Sequence, residues 1–217
     1  MKKPLRLGWL EMNPSRGEAE ALLAWGGKQN PGPWLDHCKN AARAAQAIAE
    51  QCGMDPERAY VSGLLHDIGY YANADGTGKN CHVYNGYALM MEKGCDAVAK
   101  ICITHSFNIQ DIRVYTGSNL TKDENELAVI RNCLIETVYD DYDRLIQLCD
   151  AICTADGVCT VERRLTEIIL RQSHRAFNEY TIEKWKAYFA LKGYFDEKCG
   201  MNIYNLFREE ISKGIFN

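Results

Sequence analysis

The chain has 217 residues, of which 47% are hydrophobic and 5 are proline, so it can bury a substantial core as one domain. Its net charge of −4, without a long basic run, argues against a nucleic-acid polymer as partner. No apolar stretch approaches the roughly 20 residues that span a bilayer, so we expect no membrane contact. The basic amino terminus precedes no apolar segment or cleavage site typical of a signal peptide, and a cytoplasmic location is expected.

The first predicted helix begins after Ser15. Ser15 and Glu18 have the spacing of a capping box, in which each side chain hydrogen-bonds the backbone of the other residue. The helix is predicted over 16–25. Gly26 and Gly27 are expected to end it, because glycine is a poor helix former.

A second helix is predicted over 34–51 and is rich in small residues. One face of it carries Ala41, Ala44, Ala45 and Ile48. So many small side chains on one face indicate that another helix approaches closely. His37 lies one turn before Ala41 on this face, so its imidazole is expected to point into the core.

A third helix is predicted to begin at Asp55-Pro56 and to end at His66-Asp67, after an apolar run. Neighbouring helical residues point about 100° apart, so both polar side chains can reach one point only at a helix end. Gly69 is expected to adopt the left-handed conformation just past that end. A divalent cation would offset the desolvation of the carboxylate. The alternative is a His–Asp pair hydrogen-bonded to each other in the core.

Further elements follow in order. A surface loop is predicted over 70–80 and an irregular segment over 107–125. Helices are predicted over 81–93, 95–106, 126–138, 141–155, 160–171, 179–191 and 200–213. No stretch alternates with period two strongly enough to predict a strand, so the expected fold is all-α, with short connections and no domain boundary.

The ten cysteines are scattered, and no two form a CxxC pair, so a thiolate zinc site is not expected. Most lie in apolar helical patterns, such as Cys102 between Ile101 and Ile103. We expect them to be reduced core residues.

Four of the five histidines and two isolated acids fall at inward-facing positions of consecutive elements: His37, His66, Asp67, His82, His105 and Asp150. A core histidine bonded to a backbone carbonyl explains any one of these, but four such cases together indicate a metal centre. Imidazole and carboxylate donors without thiolate favour iron, manganese or zinc over magnesium. Six donors exceed one tetrahedral zinc site. Asp67 is the candidate to bridge two ions in a dinuclear site.

This ordered set resembles the HD-domain superfamily of metal-dependent phosphohydrolases, in the variety with the signature His-Asp-Ile-Gly, here His66-Asp67-Ile68-Gly69. The resemblance covers about 34–155 and implies an all-α, HD-domain-like helical bundle with the metal site in its centre. Residues 156–217 are expected to pack on this core within a single domain, 1–217. The resemblance implies that His37, His66, Asp67 and Asp150 hold one metal and that Asp67, His82 and His105 hold a second.

The implied activity is hydrolysis of a small phosphate ester, such as a nucleotide, by a metal-activated water. Asp67, next to that water, is the candidate to orient it or take its proton. Lys79, three residues before His82, is the main candidate cation for phosphate oxygens; a solvated loop lysine is the alternative. Arg144 is a further candidate, whereas helix geometry is expected to turn Lys39 and Arg43 away.

Several alternatives stay open. One acid of Asp140-Asp141-Tyr142-Asp143 is an alternative to Asp150 as ligand, although this run is most simply a helix start. His174 lies in a polar surface pattern. The same six ligands are also found in di-iron oxygenases of HD type, and a non-catalytic, metal-containing sensing module is a third reading.

Overall fold

The computed structural model describes residues 13–75, 81–115, 119–172, 177 and 179–216. Within these ranges the α-helices are α1 (Arg16–Gln29), α2 (Trp34–Gln51), α3 (Pro56–Leu65), α4 (His82–Glu92), α5 (Asp96–Thr104), α6 (Glu124–Glu136), α7 (Asp141–Ile152), α8 (Val161–Gln172), α9 (Thr181–Cys199) and α10 (Arg208–Phe216). Shorter 3-10 helices span Ile68–Asp75, Ile112–Val114 and Ile203–Phe207. The fold is all-α, as the sequence predicts.

The predicted helix starts are confirmed where a cap residue marks them. Ser15 and Glu18 form the capping box of α1, and the Asp55 side chain accepts the backbone N–H groups of Glu57 and Arg58 at the start of α3. These contacts satisfy backbone donors that have no partner inside the helix.

Two predicted helix ends are wrong, both at glycine. Helix α1 continues through Gly26, where an added Cβ would lie 3.0 Å from Ile68 Cδ1 and 3.2 Å from the Trp34 ring. The glycine therefore makes room for packed side chains and does not end the helix. Helix α9 likewise continues through Gly193 and ends before Gly200, which has a φ of 65°.

Helices α2 and α3 approach each other closely, as the small residues of α2 predict. A Cβ added to Gly63 would lie 2.8 Å from Ala42 Cα, and Ala41, Ala42 and Ala45 are fully buried. This contact fixes the end of α3 against α2, and three of the predicted ligands lie on these two elements or next to them: His37, His66 and Asp67.

Three further segments differ from their predictions. The helix predicted over 200–213 is a 3-10 helix, Ile203–Phe207, followed by α10 from Arg208. The loop predicted over 70–80 is a 3-10 helix as far as Asp75, and 76–80 lie outside the described residues. The helix predicted to run to 155 ends at Ile152 and gives way to an antiparallel ribbon of β1 (Cys153–Thr154) and β2 (Gly157–Val158). The Asn40 amide donates to the carbonyls of Thr154 and Ala155, at 3.0 Å each, so a distant side chain holds this turn.

The carboxy-terminal helices share an apolar cluster with α2 and α7. Leu165, Tyr188, Phe195 and Phe207 are buried in the cluster that contains Ile48 and Leu148. On the surface, the two terminal guanidinium nitrogens of Arg43 each donate to an oxygen of the Glu210 carboxylate at 2.7 Å. Helices α8 and α9 thus pack onto the elements that carry His37 and Asp150. The assignment of the whole chain to one domain stays a prediction.

A buried ion cluster joins α5 to α7. Lys100 Nζ lies 2.7 Å from Asp143 Oδ2 and 2.9 Å from Asp140 Oδ2, and the Thr104 hydroxyl donates to Asp143 Oδ1 at 2.7 Å. Asp140 also caps α7. The acids at the start of α7 therefore cap the helix and pair with a lysine.

All ten cysteines are free thiols, as expected for core residues. Among the helices formed by the described residues, none has the length and apolar character required to cross a membrane.

Candidate metal centre

The six predicted ligands come together in one cluster, although they derive from five separate segments. Each lies at or near a helix end: the first turn of α2 (His37), the two residues after α3 (His66 and Asp67), the start of α4 (His82), the residue after α5 (His105) and the last turn of α7 (Asp150). Helix ends allow side chains from different directions to reach a common point, because no further turn of helix intervenes.

Asp67 lies at the centre of the cluster. Its Oδ1 is 3.3 Å from His82 Nε2 and 3.3 Å from His105 Nε2. Its Oδ2 is 3.5 Å from His66 Nε2 and 3.9 Å from His37 Nε2. Each oxygen of one carboxylate thus faces a different pair of imidazoles.

Asp150 lies on the His37 side of the cluster. Its Oδ1 is 3.1 Å from His37 Nε2 and 4.0 Å from His66 Nε2. The two imidazoles also face each other, with 3.2 Å between their Nε2 atoms. His37 and His66 therefore have a second carboxylate beside them, in addition to that of Asp67.

Backbone carbonyls orient two of the rings. His66 Nδ1 lies 2.7 Å from Gly63 O, and His105 Nδ1 lies 3.1 Å from Ile101 O. These contacts place the proton of the neutral ring on Nδ1 and leave the Nε2 lone pair directed at the Asp67 side of the cluster. Burial lowers the pKa of His66 to about 4, so its ring is neutral near pH 7.

Aromatic side chains hold His82. The Tyr70 ring stacks on it, with centroids 4.5 Å apart and planes within 4°. The Tyr115 hydroxyl donates to Asn119 Oδ1 at 2.6 Å, and His82 Nδ1 lies 3.4 Å from this hydroxyl and 3.2 Å from Asn119 Nδ2. Burial lowers the pKa of His82 to about 4, which again favours the neutral ring.

Gly69 has a different role from the one predicted. It does not adopt a positive φ. A Cβ at this position would lie 1.9 Å from the His82 carbonyl oxygen and 2.5 Å from Gly86 N. The absent side chain therefore allows the 3-10 helix after Asp67 to contact the first turn of α4, which brings His82 beside Asp67.

The donor set fits divalent cations. Asp67 Oδ1 is buried and has no hydrogen-bond partner among the described residues, although two imidazole nitrogens lie close to it. A buried carboxylate oxygen without a hydrogen-bond partner is unfavourable unless a positive charge lies beside it. Two groups of three donors have their atoms within 4.8 Å of one another: His37, His66 and Asp67, and Asp67, His82 and His105.

A cavity of about 830 Å³ is lined by five of the six predicted ligands, all except His66. One side of it is formed by cations from the carboxy-terminal helices, Arg163, Arg164 and Arg171 of α8 and Lys184 of α9, which we call the cationic wall. Residues 156–217, to which the sequence assigned no role, thus contribute directly to the candidate site.

Two members of the cationic wall are largely buried. The Lys184 ammonium lies 3.5 Å from Ser106 O and 3.4 Å from Val114 O, and burial lowers its pKa to about 8. The Arg164 guanidinium hydrogen-bonds the Glu167 carboxylate. Although burial lowers the pKa of Arg164, the nearby Asp150 and Glu167 carboxylates raise it overall, so this side chain stays charged.

The sequence pattern around Lys184 indicates that this lysine is unusual. Thr181, Lys184, Tyr188 and Phe195 are buried at helical spacing on one face of α9. A lysine on an apolar stripe is the same kind of anomaly that singled out the histidines. No comparable signal distinguishes the α8 arginines, because arginine is common on amphipathic helices.

Of the cations proposed from the sequence, the structure describes Arg144, Lys39 and Arg43 but not Lys79. Lys79 and His174 lie outside the described residues. Arg144 pairs with Asp141 at 3.6 Å and does not line the cavity, and Lys39 contacts Asp36 on the surface at 2.8 Å. Arg144 is therefore wrong as a candidate for this site.

Comparison with known proteins supports the same region. The family model described as HD domain matches residues 34–155. Ribonuclease Y of Opitutus terrae (strain DSM 11246 / JCM 15787 / PB90-1) is 47% identical over 84 residues, which is 38% of this chain. The similarity spans 16% of the length of that ribonuclease. No significant match was found among solved structures.

Proposed function

Because this chain belongs to the HD domain family, a superfamily of metal-dependent phosphohydrolases, we propose that it hydrolyses a small phosphate ester, such as a nucleotide. The observation that supports this most strongly is the position of Asp67. One of its oxygens faces His82 and His105 at 3.3 Å each, and the other faces His66 at 3.5 Å. A carboxylate in this position can join two cations, and a pair of cations suits phosphate chemistry.

The proposed cofactor is a dinuclear centre of divalent cations, with iron or manganese favoured over zinc or magnesium because imidazole donors predominate. The proposed ligands are His37, His66, Asp67 and Asp150 for the first ion, and Asp67, His82 and His105 for the second. The two groups of donors and the short distance between His37 and Asp150 support this division.

When bound, the cations would supply an activated water and neutralise charge on the phosphate oxygens. Asp67 would stand next to that water and orient it or accept its proton. Lys184 and Arg164 would bind phosphate oxygens of the substrate, since both are largely buried cations that line the same cavity. A role for Lys79 stays a prediction.

The partial similarity to a ribonuclease makes RNA a necessary comparison substrate. We retain a small phosphate ester as the proposed substrate, because the residues that line the cavity of about 830 Å³ converge on the histidine cluster. The absence of a nucleic-acid polymer among the partners stays a prediction.

The test combines metal analysis with a substrate screen. Protein purified without added metal should contain up to two divalent ions per chain. It should release phosphate from phosphomonoesters or nucleotides when supplied with Mn²⁺. Asp67→Asn should lose both properties, whereas Asp36→Asn, which changes an exposed carboxylate next to His37, should keep both.

Two results would contradict the proposal. Full metal occupancy in Asp67→Asn would refute the ligand assignment. An iron-loaded protein that consumes dioxygen and releases no phosphate would indicate the oxygenase reaction, and cleavage of an RNA oligomer without turnover of small esters would indicate a nuclease.

A further inference from the structure

The cationic wall carries more positive charge than its own carboxylates balance. Among the described residues that line the cavity, the three arginines of α8, Arg163, Arg164 and Arg171, are accompanied by two carboxylates outside the histidine cluster, those of Glu167 and Asp156. Without counting Lys184, one positive charge therefore remains on this side of the cavity. None of these arginines is a predicted metal ligand.

The proposed metal centre has its own excess of charge. Two divalent cations against the carboxylates of Asp67 and Asp150 leave two positive charges, which one phosphate dianion would neutralise. A substrate with a single phosphate group would thus leave the charge of the cationic wall unbalanced. From this we infer that the substrate carries a second phosphate group, which the cationic wall binds. This inference rests on the proposed function and names the substrate class more narrowly.

The geometry of α8 gives this second group a place. Arg164 and Asp150 line the same cavity, so this arginine lies on the side of the metal centre. Arg171 is seven residues further along the helix, a rise of about 10 Å. Its side chain is 58% exposed and its Nε lies 3.3 Å from Glu167 Oε1. The wall therefore extends from the metal centre to the mouth of the cavity.

Arg164 also has an unused donor. Its Nε is buried and has no hydrogen-bond partner among the described residues, although the other end of the guanidinium contacts Glu167. A buried guanidinium nitrogen is normally hydrogen-bonded. A phosphate oxygen is a strong acceptor for arginine and would satisfy this donor.

The test compares substrates that differ by one phosphate. The full chain, supplied with Mn²⁺, is assayed with fructose 6-phosphate against fructose 1,6-bisphosphate, and with AMP against adenosine 3′,5′-bisphosphate. We expect kcat/KM to be at least about tenfold higher for the doubly phosphorylated member of one pair. Arg171→Gln should reduce this ratio toward one. Arg131→Gln, which changes a similarly exposed arginine on α6 outside the cavity, should leave it unchanged.

A binding measurement separates this inference from the proposed function. Propane-1,3-diphosphonate and propylphosphonate have C–P bonds that a phosphohydrolase does not cleave. Calorimetric titration of the Mn²⁺-supplied protein should show about tenfold tighter binding of the diphosphonate, and Arg171→Gln should abolish the difference.

If no substrate is turned over but the diphosphonate still binds more tightly, the proposed function fails and the second phosphate subsite stands. Equal binding of the two phosphonates, an unchanged preference in Arg171→Gln, or equal kcat/KM within both substrate pairs would overturn the inference.

Discussion

The contact between Gly69 and α4 can be tested by a single added methyl group. In Gly69→Ala the new Cβ would lie 1.9 Å from the His82 carbonyl oxygen and 2.7 Å from the His82 carbonyl carbon. Both atoms belong to the backbone, so no side-chain rotation relieves the overlap. Separating the Cβ from the oxygen to the 3.0 Å that real contacts reach requires a displacement of about 1 Å. Metal-ligand distances tolerate only about 0.2 Å.

We expect Gly69→Ala to lose about 3 kcal/mol of unfolding free energy, the upper end of the usual range for overpacking. For a chain of this size that corresponds to a fall in Tm of about 6–12 °C. Occupancy of the second metal position should also fall, because the displaced backbone carries His82. Differential scanning calorimetry and metal analysis measure the two effects.

Gly193→Ala is the matched control. Gly193 lies inside α9 with nothing within 4 Å of an added Cβ. Alanine has about 1 kcal/mol better helix propensity than glycine, so Tm should rise by about 2–4 °C. If Gly69→Ala kept the wild-type Tm and metal content, the close approach of the 3-10 helix to α4 would not be what requires glycine at this position.

Three further predictions concern the buried histidines and the buried ion pair of Lys100 with Asp143. His66→Ala should abolish metal binding and turnover while circular dichroism shows unchanged helical content; retained metal would remove His66 from the ligand set. Lys100→Met should lower the free energy of unfolding in urea by about 3–5 kcal/mol, because it leaves the fully buried Asp143 carboxylate without its cation. The double variant Lys100→Met/Asp143→Leu should recover most of this loss. A loss below about 1 kcal/mol in Lys100→Met would contradict the prediction. In protein stripped of metal with EDTA, stability should fall as the pH drops from about 6.5 to about 4, because burial lowers the pKa of His66 and His82 from 6.5 to about 4 and the unfolded chain then binds more protons. His105 does not cancel this effect. Burial lowers its pKa, but the neighbouring Asp67 carboxylate raises it overall, so its contribution changes above pH 6.5. Equal stability at pH 6.5 and 4.5 would refute the prediction.

Helix positions and starts were predictable because they depend on neighbouring residues. A cap residue such as Ser15 or Asp55 satisfies backbone donors within a few residues of itself, so its effect can be read locally. The inward faces of α2 and α5 were also predictable, because helical spacing alone places His37 and His105 on the apolar side.

Glycine was the main source of error, because its role depends on what lies beside it. Gly26 and Gly193 lie within helices, and only the surroundings show that Gly26 accommodates Ile68 and Trp34. The ribbon after α7 was missed because each strand has only two residues, too few for an alternating pattern.

The sequence by itself determined that this chain is an all-α protein with an ordered set of histidines and acids at helix ends, because helical periodicity and caps are local. Only the tertiary structure decided that Asp67 lies between two pairs of imidazoles and that Lys184 and Arg164 reach the same cavity. Their convergence depends on how distant helices pack. Gly69 illustrates this dependence, because its close contact with the backbone of α4 cannot be recognised from the residues next to it in sequence.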